Sequence, residues 1–231
     1  MREIVLDTET TGLEHELNHR IIEIGAVELN DHIPTGRHYH VYINPEREVD
    51  ARASEVHGMT YEMLKDKPVF AEIAEEFLAF VANAQLVIHN SSFDMGFINA
   101  ELSRLGKDPI SDDVVIDTLL MARQKFPGGQ ASLDALCRRF SIDNSNRDLH
   151  GALIDADLLA AVYIELIGGK QPDLMMGEAK KQNTTPDQAH ITAQAPLPKP
   201  PRAFPALPEE LSAHHDFIKT IDNSIWSKYQ N

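Results

Sequence analysis

Cysteine is nearly missing from this 231-residue chain, where Cys137 stands alone. One thiol closes no intramolecular disulfide and builds no thiolate metal cluster, a usage suited to a reducing compartment. Long apolar runs are missing as well. No window approaches eighteen consecutive apolar residues, so nothing reads as a membrane span. The first residues enter a strand-like run without the basic flank and apolar stretch of a signal peptide, and a cytoplasmic protein is expected. Basic residues are scarce: 21 Lys and Arg face 36 Asp and Glu, for a net charge of −15. Residues 1–168 hold 14 basic against 29 acidic side chains and account for the whole of it, while 169–231 hold seven of each. So acidic a front is unsuited to long, tight duplex binding through phosphates. It does suit a metal-ion site that touches a few phosphates, because divalent cations invert the local field.

What is present divides the chain in three. Hydrophobic content of 42% supports one full-sized core, and the length allows one domain with an appendage. Residues 1–168 carry all the strong periodicity. Strands are expected at 4–6, 20–30, 37–45, 85–89 and 114–118, with DHIPTG (31–36) as a turn-rich hairpin connection. Helices are expected at 69–81, from the Asn90-Ser91-Ser92 capping run to about 105, from 118 to about 126, at 132–140, and at 151–167. Strands joined directly, followed by strands alternating with helices, give an α/β class with a mixed sheet covered by helices. Residues 169–208 hold eight of the thirteen prolines and read as an extended linker. Residues 209–231 look amphipathic and contain the only tryptophan, Trp226.

The chemistry lies in three words. In LDTETTGL (6–13), Asp7 and Glu9 stand two apart on a strand and so point to one side. Buried there, they need a positive partner. In SFDMGF (92–97), Asp94 follows a buried strand and opens a helix, where a capping carboxylate is the ordinary reading. In HGALID (150–155), Asp155 sits on a largely apolar helix. An ideal helix would point His150 about 140° away from it, so the two share a site only if His150 lies on the preceding loop and bends back. A loop histidine beside acids is a suitable proton acceptor.

These words together resemble the DEDD 3′–5′ exonucleases of the histidine subtype, closest to those that proofread for bacterial replicative polymerases. The likeness covers residues 1–168 and extends to IIEIGAVE, LVIHN and LHGALIDA. It implies a ribonuclease H-like fold with a five-stranded mixed sheet and two ions, Mg²⁺ or Mn²⁺, roughly 4 Å apart. It implies metal ligation by Asp7, Glu9, Asp94 and Asp155, with Asp7 bridging, and His150 as the base that removes a proton from water. Substrate contacts are implied at Asp7, Glu9, Thr10, His57 and Asp155. One position departs from the family pattern: Arg52 stands where an acidic substrate contact is expected. The products would be nucleoside 5′-monophosphates released from mispaired 3′ ends.

The tail adds partners by the same resemblance. Gln171, Leu174, Met175 and Met176 in QPDLMM (171–176) resemble a sliding-clamp-binding peptide. Leu211, Phe217, Ile218, Ile221 and Trp226 have no core left to join and suit a groove on the polymerase alpha subunit. The implied partners are a single-stranded or frayed 3′ DNA end, that polymerase subunit, the clamp and a small theta-like accessory subunit. Two other functions use the same residues: an RNA-trimming exonuclease of the same superfamily, and a catalytically inactive adaptor between clamp and polymerase.

Overall fold

The computed structural model of the protein describes residues 1–145, 150–168 and 207–220. The chain divides into two compact units, Met1–Met175 and Met176–Asn231. In the first, five strands form one sheet: β1 (Arg2–Thr10), β2 (Ile21–Asn30), β3 (Ile33–Tyr42), β4 (Gln85–Ile88) and β5 (Val115–Asp117). Their order is β3-β2-β1-β4-β5. The β1–β2 and β2–β3 pairs are antiparallel, whereas β1–β4 and β4–β5 are parallel, so the sheet is mixed, as expected. The helices are α1 (Ala51–His57), α2 (Tyr61–Leu64), α3 (Phe70–Val81), α4 (Ser91–Arg104), α5 (Thr118–Lys125), α6 (Leu133–Phe140) and α7 (Ala152–Leu166), and the second unit carries α8 (Pro208–Lys219).

Strand alternation sorts the core into two faces. Ile4 and Leu6 of β1 join Phe70, Phe77 and Ile98 in one cluster under α3 and α4. Val5, one step between them, joins Leu136, Leu159 and Val162 in the other, under α6 and α7. The same parity continues toward the end of the strand. Glu3 is buried and accepts a 2.7 Å hydrogen bond from the Tyr163 hydroxyl on α7. Thr8 follows the Ile4 and Leu6 face, toward α4. Asp7 and Glu9 follow Val5, toward α7.

Three local expectations are corrected. The β2–β3 connection is not DHIPTG but the two residues Asp31 and His32, both in the left-handed region with φ of 49° and 65°. Two such residues match the twist of the flanking strands. Strand β3 therefore begins at Ile33, not at 37, and ends at Tyr42, not at 45. Pro34 is tolerated because β3 is the sheet's edge. Helices α1 and α2 were not anticipated, since seven and four residues are too short to display an apolar period.

Candidate active site

The two acids of β1 emerge where that strand's pairing with β2 becomes irregular. Glu9 faces Glu23, but Thr10 faces Ile21, so Ile22 is the extra residue of a bulge. Bulges re-aim neighbouring side chains. Here Ile22 turns into a small cluster with Met59 and Leu64, which anchors the α1–α2 segment beside the end of β1. The Asp50 amide also donates to the Thr11 carbonyl at 3.0 Å.

Asp155 arrives from α7, and a glycine sets its approach. Gly25 is the register partner of Asp7. A Cβ built on Gly25 would stand 2.1 Å from the Leu153 nitrogen and 2.2 Å from the Ala152 carbonyl carbon. Only a residue without a side chain lets the first turn of α7 lie on the sheet at this point. Asp155, in that first turn, is 2% exposed. His150 precedes the helix, with Gly151 as N-cap, and its ring bends back so that Nδ1 lies 3.4 Å from the Asp155 carboxylate. The His150 amide donates to the Val56 carbonyl at 3.2 Å, which ties the loop to α1. The bend that the spacing required is therefore present.

Glu9, His150 and Asp155 form the described acid-and-histidine group whose candidate ligand atoms all lie within 4.8 Å of one another. Asp7 is half-buried two residues before Glu9, on the same side. Asp94 comes from the opposite face. It is 3% exposed, and its Oδ1 accepts from the Thr8 amide at 3.0 Å and the Thr8 hydroxyl at 2.7 Å. Burial pushes its pKa up to about 7 despite those donors. A carboxylate held that way favours a nearby cation.

Asp94 is not the helix cap that its position suggested. Asn90 is the N-cap, in the left-handed region, and its side chain makes no capping bond. The cap is supplied from β5: the Asp117 carboxylate accepts from the Asn90 and Ser91 amides and the Ser91 hydroxyl at 3.1–3.3 Å. It also caps α5 through the Leu119 and Leu120 amides. Asp117 and Gly25 thus position two of the acids, and neither stood out in the sequence. Gly25 lies inside a strand rather than a turn, and Asp117 acts across 26 residues.

His57 also comes to this place. Its Nδ1 accepts from the Met59 amide at 3.1 Å, while Nε2 is buried without a partner at bonding geometry. Burial lowers its pKa, and the nearby His150 adds to that, so the ring is held neutral despite the Thr10 carbonyl beside it. With Nδ1 as acceptor, the proton sits on Nε2. Glu9, Thr10 and His57 line a cleft of about 460 Å³ together with Leu13, Val56 and Phe93. In the second unit, Leu211 and Phe217 are exposed on α8 and Ile218 is buried. Gln171, Leu174, Met175, Met176, Ile221 and Trp226 lie outside the described residues. Among the described residues, no helix is long and apolar enough to cross a membrane.

Comparison with known proteins adds three findings. The RNase_T exonuclease family model matches residues 4–163. DNA polymerase III subunit epsilon of Rickettsia typhi is 49% identical over 226 residues, covering 96% of this chain and 97% of its own. The Escherichia coli subunit of the same name is 47% identical over 222 residues, covering 92% and 90%. Among solved structures, exonuclease X in complex with 5′-overhanging duplex DNA matches with a TM-score of 0.56 at 26% identity, over 71% of this chain and 90% of that one. The nuclease domain of 3′hExo, a DEDDh family member bound to rAMP, shares the fold with a TM-score of 0.63 at 18% identity, over 72% and 91%.

Proposed function

This chain belongs to the family of DNA polymerase III epsilon subunits and is a 3′–5′ exonuclease, and from that premise we propose that it proofreads, clipping mispaired 3′-terminal nucleotides from DNA as 5′-monophosphates in the cytoplasm. The observation that carries this reading is the convergence of Glu9, His150 and Asp155, of which Glu9 also lines a nucleotide-sized cleft.

A divalent-metal requirement fits the donor set. Asp7, Glu9, Asp94 and Asp155 offer oxygen only, the preference of hard cations such as Mg²⁺ and Mn²⁺. Buried Asp94, bonded to neutral Thr8 donors, gains from such a charge nearby. Two ions held by these four acids would polarise the scissile phosphate and make water more acidic. The protein's own groups do the rest. His150 accepts the proton of the attacking water, and the Asp155 carboxylate beside its Nδ1 orients the ring and stabilises the charge it gains. Thr10 and His57 hold the terminal nucleotide in the cleft. The P–O3′ bond breaks and the leaving oxygen is protonated.

The test uses primers ending in a matched or mismatched 3′ nucleotide, and an RNA oligonucleotide, with Mg²⁺. Faster release of 5′-monophosphates from the mismatched DNA end is expected, and preferential trimming of the RNA would overturn the reading. In the same assay His150→Ala should lower turnover by roughly 10²–10⁴-fold, the usual worth of a general base. Its Mn²⁺ affinity should stay near that of the wild type, whereas an equal loss of affinity would make His150 a ligand.

The division of labour is proposed as follows: exonuclease domain at 1–168, linker at 169–208 with the clamp-binding word 171–176, and polymerase-binding segment at 209–231. Exposed Leu211 and Phe217 on α8 support the last assignment. A theta-like accessory subunit on the core completes the proposed partners. Tethering beside a polymerase raises the local concentration of primer ends, so an acidic nuclease needs little duplex affinity of its own. A buried aromatic anchor is often worth about 2 kcal/mol or more. Trp226→Ala should therefore weaken polymerase binding by roughly thirtyfold or more, measured by surface plasmon resonance, without changing hydrolysis of short single strands. Undiminished binding would sink the tail assignment and leave the nuclease reading standing.

A further inference from the structure

The cleft that begins at Glu9 and His57 has a charge pattern that the reaction alone does not use. An enzyme cutting the last phosphodiester must lodge the terminal nucleoside beside its acids, and a cavity of about 460 Å³ is of the right order for one. Leu13, Leu17 and Phe93 offer it apolar walls, but Glu9, Glu14 and Asp50 make the cleft acidic. Arg52, on the first turn of α1, is the one permanent cation in the lining. The neighbouring arginines are engaged. Arg20 pairs with Glu101 at 2.5 Å and Glu46 at 3.5 Å, and Arg47, outside the lining, donates to the Leu17 carbonyl and pairs with Asp50 at 4.0 Å. Arg52 is exposed and, among the described residues, its guanidinium has neither ion pair nor hydrogen bond. A guanidinium with five donors and no partner is built to receive a planar or phosphate oxygen group.

We propose that Arg52 reads the chemical state of the strand's 3′ end, its guanidinium holding the phosphate of a 3′-phosphorylated terminus that the surrounding acids would otherwise repel. The inference rests on the exonuclease reading and extends it to a second class of substrate, DNA ends blocked by a 3′-phosphate. The step is the same hydrolysis. The oxygen of water bonds to the phosphorus of the last phosphodiester, and the bond from that phosphorus to the O3′ of the penultimate nucleotide breaks. That O3′ takes a proton, and the terminal residue leaves as a nucleoside 3′,5′-bisphosphate. The new strand end is a free hydroxyl, ready for extension.

The experiment compares kcat/KM of the full chain with Mg²⁺ on single-stranded oligonucleotides that end in a 3′-hydroxyl or a 3′-phosphate. The wild-type protein should cut both. In Arg52→Glu and Arg52→Gln the ratio of phosphate to hydroxyl ends should fall by roughly ten- to hundredfold, the scale of one charge-assisted contact. A fall of more than tenfold in both variants supports the proposal. A smaller change in either one, an equal loss on both ends, or a wild-type protein that leaves phosphate ends uncut overturns it. The two readings fail differently: an unmoved ratio with intact cleavage of hydroxyl ends defeats Arg52 alone. No cleavage of either end defeats the exonuclease reading and the Arg52 inference with it.

Discussion

Asp7→Ala should yield a folded protein that no longer hydrolyses DNA and no longer holds Mn²⁺ tightly. Asp7 lies on the strand at the centre of the sheet, yet its side chain is only half-buried, so its removal opens no cavity in either core cluster. The loss falls on the site. One preorganised electrostatic contact is typically worth roughly 10²–10³-fold in turnover, and an acid proposed to serve two ions should exceed that. Turnover on a short single strand, Mn²⁺ titration calorimetry and a melting curve check the three parts. A variant that cuts within tenfold of the wild-type rate would end the two-ion assignment.

Gly25→Ala should damage the same site without touching any group that meets the substrate. The added methyl would meet backbone atoms of Ala152 and Leu153, which cannot rotate away. To restore an ordinary contact the first turn of α7 must retreat by roughly 1.3 Å, the difference between 2.1 Å and 3.4 Å. Overpacking of this kind costs about 1–3 kcal/mol. A shift of about 1 Å at a catalytic group lowers turnover by roughly 10²-fold. Urea unfolding and kcat, measured together, should both fall. Full activity with unchanged stability would mean that α7 is not seated on Gly25.

Much of this site was legible in advance because its parts obey short-range rules. Two-residue alternation alone placed Asp7 and Glu9 on one side of β1, and the helical period alone required His150 to bend back toward Asp155. The fold class followed from the order of strand-like and helix-like words. What stayed hidden depends on distance through space. Gly25 sits in extended backbone, where nothing local distinguishes it from any weak strand residue. Asp117 looks like the end of a strand and becomes a cap for α4 only once β4 and β5 lie side by side. The α1 helix, which brings His57 and Arg52 to the cleft, is too short to carry a period. The β2–β3 turn is shorter than the turn-rich run DHIPTG suggests, because an edge strand admits Pro34 into its pairing.

The sheet order also has a consequence in time. A ribosome adds about 5–20 residues per second, so Asp7 and Glu9 are made roughly 7–30 s before Asp155. Strand β1 pairs at once with β2, but its other neighbour, β4, starts at residue 85, and the helix that carries Asp155 ends at Leu166. Until β4 is made, the nascent chain holds Asp7 and Glu9 on an exposed sheet edge, and until α7 is made it cannot assemble the group around His150. If these residues form the active site as proposed, nuclease activity begins only after α7 has been synthesised, late in the first unit.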